Sequence, residues 1–287
     1  MSKRKFKIAV LLPTHKRTDA LSRCVISMLD LADDLDSIQF IFGIDSNDTV
    51  GMTHFVDVLQ PELDERNVNY VAMEFEPMGY GSLNRYYNKL SDQADADWYF
   101  VWCDDAVMET QGWDSRIVEC TGEFKILKVH THNEHPYSIF PIIPAEWKEI
   151  TGTLSRHQLI DAEVSQIAYL LDIMKIIEVD VTHDRHDLTG NNKDENVANK
   201  NKIMFEGNPN NPYDFHNPMV INTRHMDTEN ISRWLKSQGV DMPWWEVVKS
   251  GEQDPWERLR ANDINSQMMQ FKLAVDHTTN DLKFVKD

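Results

Sequence analysis

Short apolar runs and stretches of helical spacing alternate through the first hundred residues. Lys7–Leu12, Gln39–Ile44 and Tyr70–Phe75 read as strands, and Trp98–Cys103, aromatic or β-branched without internal turn formers, as a buried one. Between them, Thr18–Leu31 carries Leu21, Val25, Met28 and Leu29 at three- and four-residue spacing, and Phe55–Leu63 and Gly81–Leu90 also read as helices. Repeated strand–helix–strand units with right-handed crossovers predict an α/β fold, a mostly parallel sheet flanked by helices. Each strand then ends in a polar or Gly-rich turn. That lines up Thr14, Asp45, Gly79/Gly81 and Asp104/Asp105 along one sheet edge, the edge at which such folds bind ligands.

Beyond Trp113 the pattern loosens. Ile126–His130 and Tyr137–Ile143 read as strands around the loop His130–His135, and Asp161–Ile177 as a helix with Val164, Ile167, Ala168, Leu171 and Met174 on one face. A short strand, Ile176–Val181, leads to His183 and His186. Residues 189–218 are rich in Asn, Asp, Gly and Pro and predict a long irregular, mobile segment. The remainder reads as a C-terminal helical appendage. Thr228 caps a helix over 229–238, Pro243 opens a short one holding Trp244 and Trp245, and Asp254-Pro255 starts another through Val275. The expected division is 1–187 as the ligand-binding domain and 188–287 as a mobile loop with a helical cap.

Composition adds constraints. The 287 residues suffice for one large core, and 41% hydrophobic with 26% charged is ordinary for a globular chain. A net charge of −18 argues against broad adhesion to nucleic acid or anionic membrane, though a local basic groove is compatible with it. Cys24, Cys103 and Cys120 are too few and scattered for a disulfide framework, and Cys103 in its apolar run reads as a small hydrophobe. The expectation is a cytoplasmic protein with no membrane partner. The basic start is followed by an apolar run too short for an export signal, and Asp172 and Lys175 interrupt the longest later one.

The chemistry concentrates where Trp98-Tyr-Phe-Val-Trp-Cys ends in Asp104-Asp105. Adjacent carboxylates at a strand end repel unless a cation, proton or donor offsets them. A divalent metal holding a phosphorylated substrate meets that need, and a solvated acidic turn is the plainer alternative. There is no Walker loop, no Gly-x-Gly-x-x-Gly after the first strand and no Gly-x-Ser-x-Gly elbow. His130, His132 and His135 lack the cysteine partners or His-Glu-x-x-His spacing of a zinc site.

What remains is a series of motifs. Pro13-Thr-His-Lys-Arg17 ends the first strand, Asp45 the second, and Asp104-Asp105 with Gly112-Trp-Asp114 the fourth. Phe140-Pro141, Asp161-x-Glu163 and His183 follow. In this order the motifs resemble the GT-A glycosyltransferases, in particular the family-two type with phage and bacterial members, over roughly residues 7–187. The resemblance implies a metal-dependent, inverting transfer of a sugar from a nucleotide-diphosphate donor, with a UDP-sugar favoured, to an acceptor hydroxyl. It places Pro13, Thr14, Arg17 and Asp45 around the nucleotide, and Asp104 and Asp105 at the acidic motif, with Asp105 and His183 on Mn²⁺ or Mg²⁺. Asp161 matches the general base, with Glu163 close behind it. The familiar Asp-x-Asp here reads Cys103-Asp104-Asp105, a departure that leaves open which carboxylate touches metal.

Each role has a bland counterpart. Asp161 also suits a helix N-cap, Asp45 a turn cap, and Lys16, Arg17 and Arg85 either a diphosphate or solvent. His186 competes with His183, and Trp234, Trp244, Trp245 and Trp256 read as packing residues in preference to an acceptor platform. The acceptor is a glycan or small molecule by default, with hydroxymethylated bases of phage DNA as the alternative. The rival classes are a nucleotidyltransferase, which lacks its Gly-rich loop here, and an inactive nucleotide-sugar-binding protein, which has no need of a base. Oligomeric state is not encoded in these patterns.

Overall fold

The four apolar runs of the first hundred residues form the parallel half of an eight-stranded sheet. The computed structural model describes residues 4–131, 137–184, 218–251, 271–276 and 281–286. Strands β1 (Phe6–Thr14), β2 (Ile38–Asp45), β3 (Asn69–Phe75) and β4 (Ala96–Val101) pair in parallel, in the order β3-β2-β1-β4. The sheet continues β7-β6-β8-β5, formed by β5 (Ala106–Met108), β6 (Ile126–Thr131), β7 (Ile142–Pro144) and β8 (Met174–His183). β7 is antiparallel to both β4 and β6, and β8 is parallel to β6. The C-terminal ends of β1, β2, β4 and β8 therefore share one edge. β1 and β2 are buried along nearly their whole length, as expected of strands covered on both faces. Pro13, which has no N–H to donate, lies beyond Leu11, the last β1 residue paired with β4.

Helices cover both faces. On one side α1 (Thr18–Leu31) and α5 (Trp113–Val118) pack with the bent helix α2 (Thr49–His54) and α3 (Gln60–Glu65), joined through a π-helical turn at Phe55–Leu59. On the other lie α4 (Leu83–Ser91), α6 (Ala145–Thr151) and α7 (Ile160–Leu171). α8 (Pro218–Ser237) packs on α6 and α7, and α9 (Pro243–Ser250) on α7, so the C-terminal helices extend this second layer. Among the described residues no helix is long and apolar enough to cross a membrane.

Several boundaries differ from those predicted. The helix expected over 161–177 stops at Leu171, because Asp172 turns left-handed (φ 58°) and sends the chain into β8. β8 is correspondingly longer than 176–181 and carries His183 as its last residue. The strand expected over 137–143 shrinks to Ile142–Pro144. The helix expected to be capped at Thr228 starts at Pro218, and the Thr228 hydroxyl is satisfied inside it by the Arg224 carbonyl at 2.7 Å. The helix drawn through Val275 is contradicted at its end. Phe271–Asp276 is a strand, β9, paired antiparallel with β10 (Asp281–Lys286), and Phe271, Leu273 and Val275 have strand periodicity. His132, His135, His186, residues 189–217, Trp256 and the start of that last helix lie outside the described residues.

Candidate functional site

Each strand end delivers one part. Asp104 and Asp105 sit in the turn between β4 and β5, both buried. That turn is held from two sides: Tyr87 donates to the Trp102 carbonyl at 2.7 Å, and the Trp102 indole donates to Cys24 Sγ at 3.0 Å. Thr14, at the end of β1, donates to Asp104 Oδ2 at 2.7 Å. Arg17 Nη1 lies 3.0 Å from Asp104 Oδ1 and 3.0 Å from Asp105 Oδ2, so a single guanidinium offsets the like-charged pair. The two carboxyls differ in their titration. Burial, with Arg17 opposing and Asp105 adding to it, raises Asp104 above the usual carboxylate range. Burial acts on Asp105 the same way but is overcome by the hydrogen bond and charge of His183, with help from Arg17 and Cys103, which leaves Asp105 below the usual carboxylate range.

His183 reaches Asp105 through strand register. β5 pairs antiparallel with β8 so that Ala106, the residue after Asp105, faces His183. The Asp184 amide then donates to the Asp105 carbonyl at 2.6 Å, and the Asp184 carboxylate pairs with Arg23 at 2.9 Å. His183 Nε2 lies 3.4 Å from Asp105 Oδ1. Phe140 packs edge-on to its ring at a centroid distance of 5.1 Å, which gives the Phe140-Pro141 motif a structural meaning. The Nδ1 atom of His183 is buried with no hydrogen-bond partner among the described residues.

The third member of this group is Cys103, which reading as a strand hydrophobe misses. β4 ends at Val101, two residues short of the prediction, and the half-buried Cys103 donates its thiol to Asp105 Oδ1 at 2.7 Å. The potential ligand atoms of Cys103, Asp105 and His183 all lie within 4.8 Å of one another. Thiol, carboxylate and imidazole in that proximity fit a first-row divalent cation. The break in the Asp-x-Asp pattern was the available sequence signal.

A second group surrounds Asp45 at the end of β2. Tyr86 donates to Asp45 Oδ1 at 2.6 Å and accepts from the Met78 amide at 2.8 Å, while His15 Nδ1 lies 3.3 Å from Asp45 Oδ2. Burial, then the Asp45 bond, pushes the Tyr86 phenol up to about 12, so it stays a donor. Pro13 is half-buried beside Gly43 of β2. Arg85 lies exposed on α4 next to Tyr86, without an ion pair among the described residues. Asp48, fully buried, takes the Lys16 amide at 2.6 Å and the Gly51 amide at 2.8 Å, which ties the β1 turn to the start of α2.

Asp161 and Glu163 lie in the first turn of α7. Leu159 occupies the N-cap, so the capping role open to Asp161 is not the one it takes. A short turn joins α7 to β8, so the helix runs back along the strand and its N-terminus lies toward the His183 edge. Asp161 is half-buried. Glu163 is 1% exposed, and its Oε2 takes Ser155 Oγ at 2.5 Å and the amides of Arg156 and His157 at 2.9 and 3.1 Å. Arg156 in turn pairs with Asp227 of α8 at 2.9 Å.

The Gly-Trp-Asp motif is a clamp. Asp114 accepts the amides of Asp33 and Asp34, both at 2.9 Å, and the Trp113 indole donates to the Met28 carbonyl at 3.0 Å. Tryptophan packing also holds where it is described. Trp245 is buried and donates to Glu229 at 2.8 Å, and the Trp234 ring lies tilted against Phe124 at a centroid distance of 4.7 Å. Trp244's side chain lies outside the described residues.

No family model and no curated protein sequence matches the chain. Solved structures do share its fold. The mannosyltransferase PcManGT from Pyrobaculum calidifontis, in complex with GDP-Man and Mn²⁺, superposes with a TM-score of 0.54 at 10% identity, covering 88% of this chain and 82% of its own. TarS of S. aureus, in a 1–349 fragment with UDP-GlcNAc, gives a TM-score of 0.54 at 11% identity over 84% of this chain and 78% of its own. The same fragment with UDP gives 0.50 at 10% identity over 86% and 92%. The Rossmann-like sheet with flanking helices predicted from the sequence is thus the fold of these glycosyltransferases.

Proposed function

We propose that this protein is a metal-dependent glycosyltransferase using a nucleotide-diphosphate sugar. The observation that carries the reading is the group Thr14, Arg17, Asp104, Asp105, Cys103 and His183 at the ligand-binding edge of a fold shared with such enzymes. Asp105 and His183 would hold Mn²⁺ or Mg²⁺; when bound, the cation stabilises charge on the leaving diphosphate. Arg17 stands beside the two carboxylates, where a guanidinium suits the phosphate oxygens of a diphosphate. Thr14 fixes the Asp104 carboxyl, and Tyr86 holds Asp45 in place to accept from a base edge. UDP is the favoured nucleotide.

The acceptor hydroxyl is a poor nucleophile until a base takes its proton. We assign that role to Asp161. As the acceptor oxygen bonds to the anomeric carbon, its proton passes to the Asp161 carboxylate and the sugar–oxygen bond to the diphosphate breaks, with inversion. Glu163 has one oxygen committed to three donors and would set the loop 155–157. Residues 1–187 would carry the donor site, and the segments after 188 would shape the acceptor side, an uncharged glycan or small-molecule hydroxyl.

The test is thermal melting of the full chain with UDP, GDP, CMP and dTDP, each with Mn²⁺ or chelator. Saturation at a hundred times Kd stabilises by about 2.7 kcal/mol. The expected result is a shift for one diphosphate that needs metal and disappears in Asp105→Asn. No shift with any nucleotide would overturn the reading.

A further inference from the structure

Cys103 stands where the resemblance would put a carboxylate, and its surroundings are those of a ligand. Its thiol meets Asp105 Oδ1 at 2.7 Å, and the same oxygen lies 3.4 Å from His183 Nε2. The other Asp105 oxygen is taken by Arg17 at 3.0 Å, so Oδ1 is the one turned toward sulfur and imidazole. His183 is 6% exposed, and one of its ring nitrogens lacks a partner among the described residues. A buried imidazole and a carboxylate converging on a thiol form a donor set, one sulfur, one oxygen and one nitrogen, whose ligand atoms span no more than 4.8 Å.

We infer that Cys103 is a third metal ligand through Sγ, so that the centre takes Mn²⁺ and the softer first-row cations in preference to Mg²⁺. The inference rests on the metal-dependent reading above and goes beyond it by deciding between the two cations left open there. Mg²⁺ demands oxygen ligands in near-octahedral array and sheds water reluctantly, so a sulfur donor adds nothing to its binding. Thiolate is a soft ligand, and affinity of such sets rises from Mn²⁺ through Co²⁺ with the first-row order. On binding, the S–H bond is replaced by a sulfur–metal bond, and the thiol proton, now given to Asp105, leaves to solvent. No oxidant or reductant is involved. The exchange also frees Asp105 Oδ1, which accepts the hydrogen bond from the thiol.

Cobalt supplies the readout. Co²⁺ is titrated into full-length protein, into Cys103→Ser and into Cys103→Asp, with folding of each checked by circular dichroism. The spectra separate visible ligand-field bands, which report any bound Co²⁺, from the near-ultraviolet band of sulfur-to-cobalt charge transfer. The expected result is both bands in the native protein and loss of the charge-transfer band alone in Cys103→Ser. Removing a group that merely supports a ligand already costs about 10–100-fold in metal affinity, so Co²⁺ binding should weaken at least about tenfold. Calorimetric titration should show native protein preferring Mn²⁺ to Mg²⁺ and Cys103→Asp narrowing that preference. Ligand-field bands that vanish in Asp105→Asn, without a charge-transfer band in the native protein, would overturn sulfur ligation and leave the donor site standing. Absence of all cobalt bands would overturn both.

Discussion

Asp161 and Glu163 are two positions apart on α7, and residues so spaced do not share a helix face. Glu163 points into the core, where Ser155 and two amides converge on one of its oxygens. Asp161 is half-buried at the same helix end. The two carboxylates should therefore fail differently. Asp161→Asn tests the proposed base, and the expected result is a loss of about 10²–10⁴-fold in transfer rate, the usual contribution of such a group. Glu163→Gln should lose about 1–3 kcal/mol of stability by weakening a buried acceptor while retaining most of the turnover per folded molecule. Parallel melts and initial rates distinguish them. Arg17 offers a second contrast. Removing one member of a buried charge group costs about 3–5 kcal/mol, and the guanidinium, 22% exposed, should fall at the lower end. Urea midpoints of Arg17→Met in chelator and in Mn²⁺ should differ, because a bound cation supplies the missing positive charge.

Among the elements, α5 and α8 carry the clearest tests. α5 starts at Gly112, left-handed at φ 68°, with its amide on the Leu31 carbonyl at 2.7 Å. A Cβ there would stand 2.5 Å from an Asp33 carboxylate oxygen. Strain and that clash together predict a loss of about 1–3 kcal/mol for Gly112→Ala, read from denaturant midpoints. On α8, burial and then the charge of Arg224 lower the His225 pKa, and the ring packs edge-on at 5.2 Å against Trp245 of α9. The folded state thus disfavours the protonated ring. Its contribution is intact above the unfolded value, about 6.5, and is lost as pH falls from there toward the lowered folded value. His225→Gln should flatten the decline in stability between roughly pH 7 and 5.

At the scale of the whole molecule, a charge of −18 bears on the proposed acceptor. Neutralising phosphates requires clustered Lys and Arg, and binding then weakens steeply with salt. The expectation is no retention of hydroxymethylated duplex DNA in an electrophoretic shift at 150 mM salt. Salt-sensitive retention there would reopen the DNA acceptor. The second helical layer binds the molecule together through the Arg156–Asp227 pair and through Glu163, so α8 reaches the loop ahead of α7.

The periodicity of apolar residues was enough to determine the strands and helices of the first hundred residues and the one sheet edge at which Thr14, Asp45, Asp104 and Asp105 lie. Those are consequences of local pattern: alternation and spacing act over a few residues, and parallel crossovers leave little freedom in where strand ends point. Distant partners were settled otherwise. His183 faces Asp105 because β5 and β8 pair in one register, and a shift of one residue would turn it to the other face. Arg17 bridges Asp104 and Asp105 across 87 and 88 residues of chain. The strand ends two residues early, so Cys103 becomes a neighbour of Asp105, a change invisible in a continuous apolar run. Glu163 and Asp114 looked chemical in their motifs and proved to be acceptors for backbone amides. Such outcomes depend on which donors the packed chain brings within three ångströms, a property of contacts far apart in sequence that local pattern does not contain.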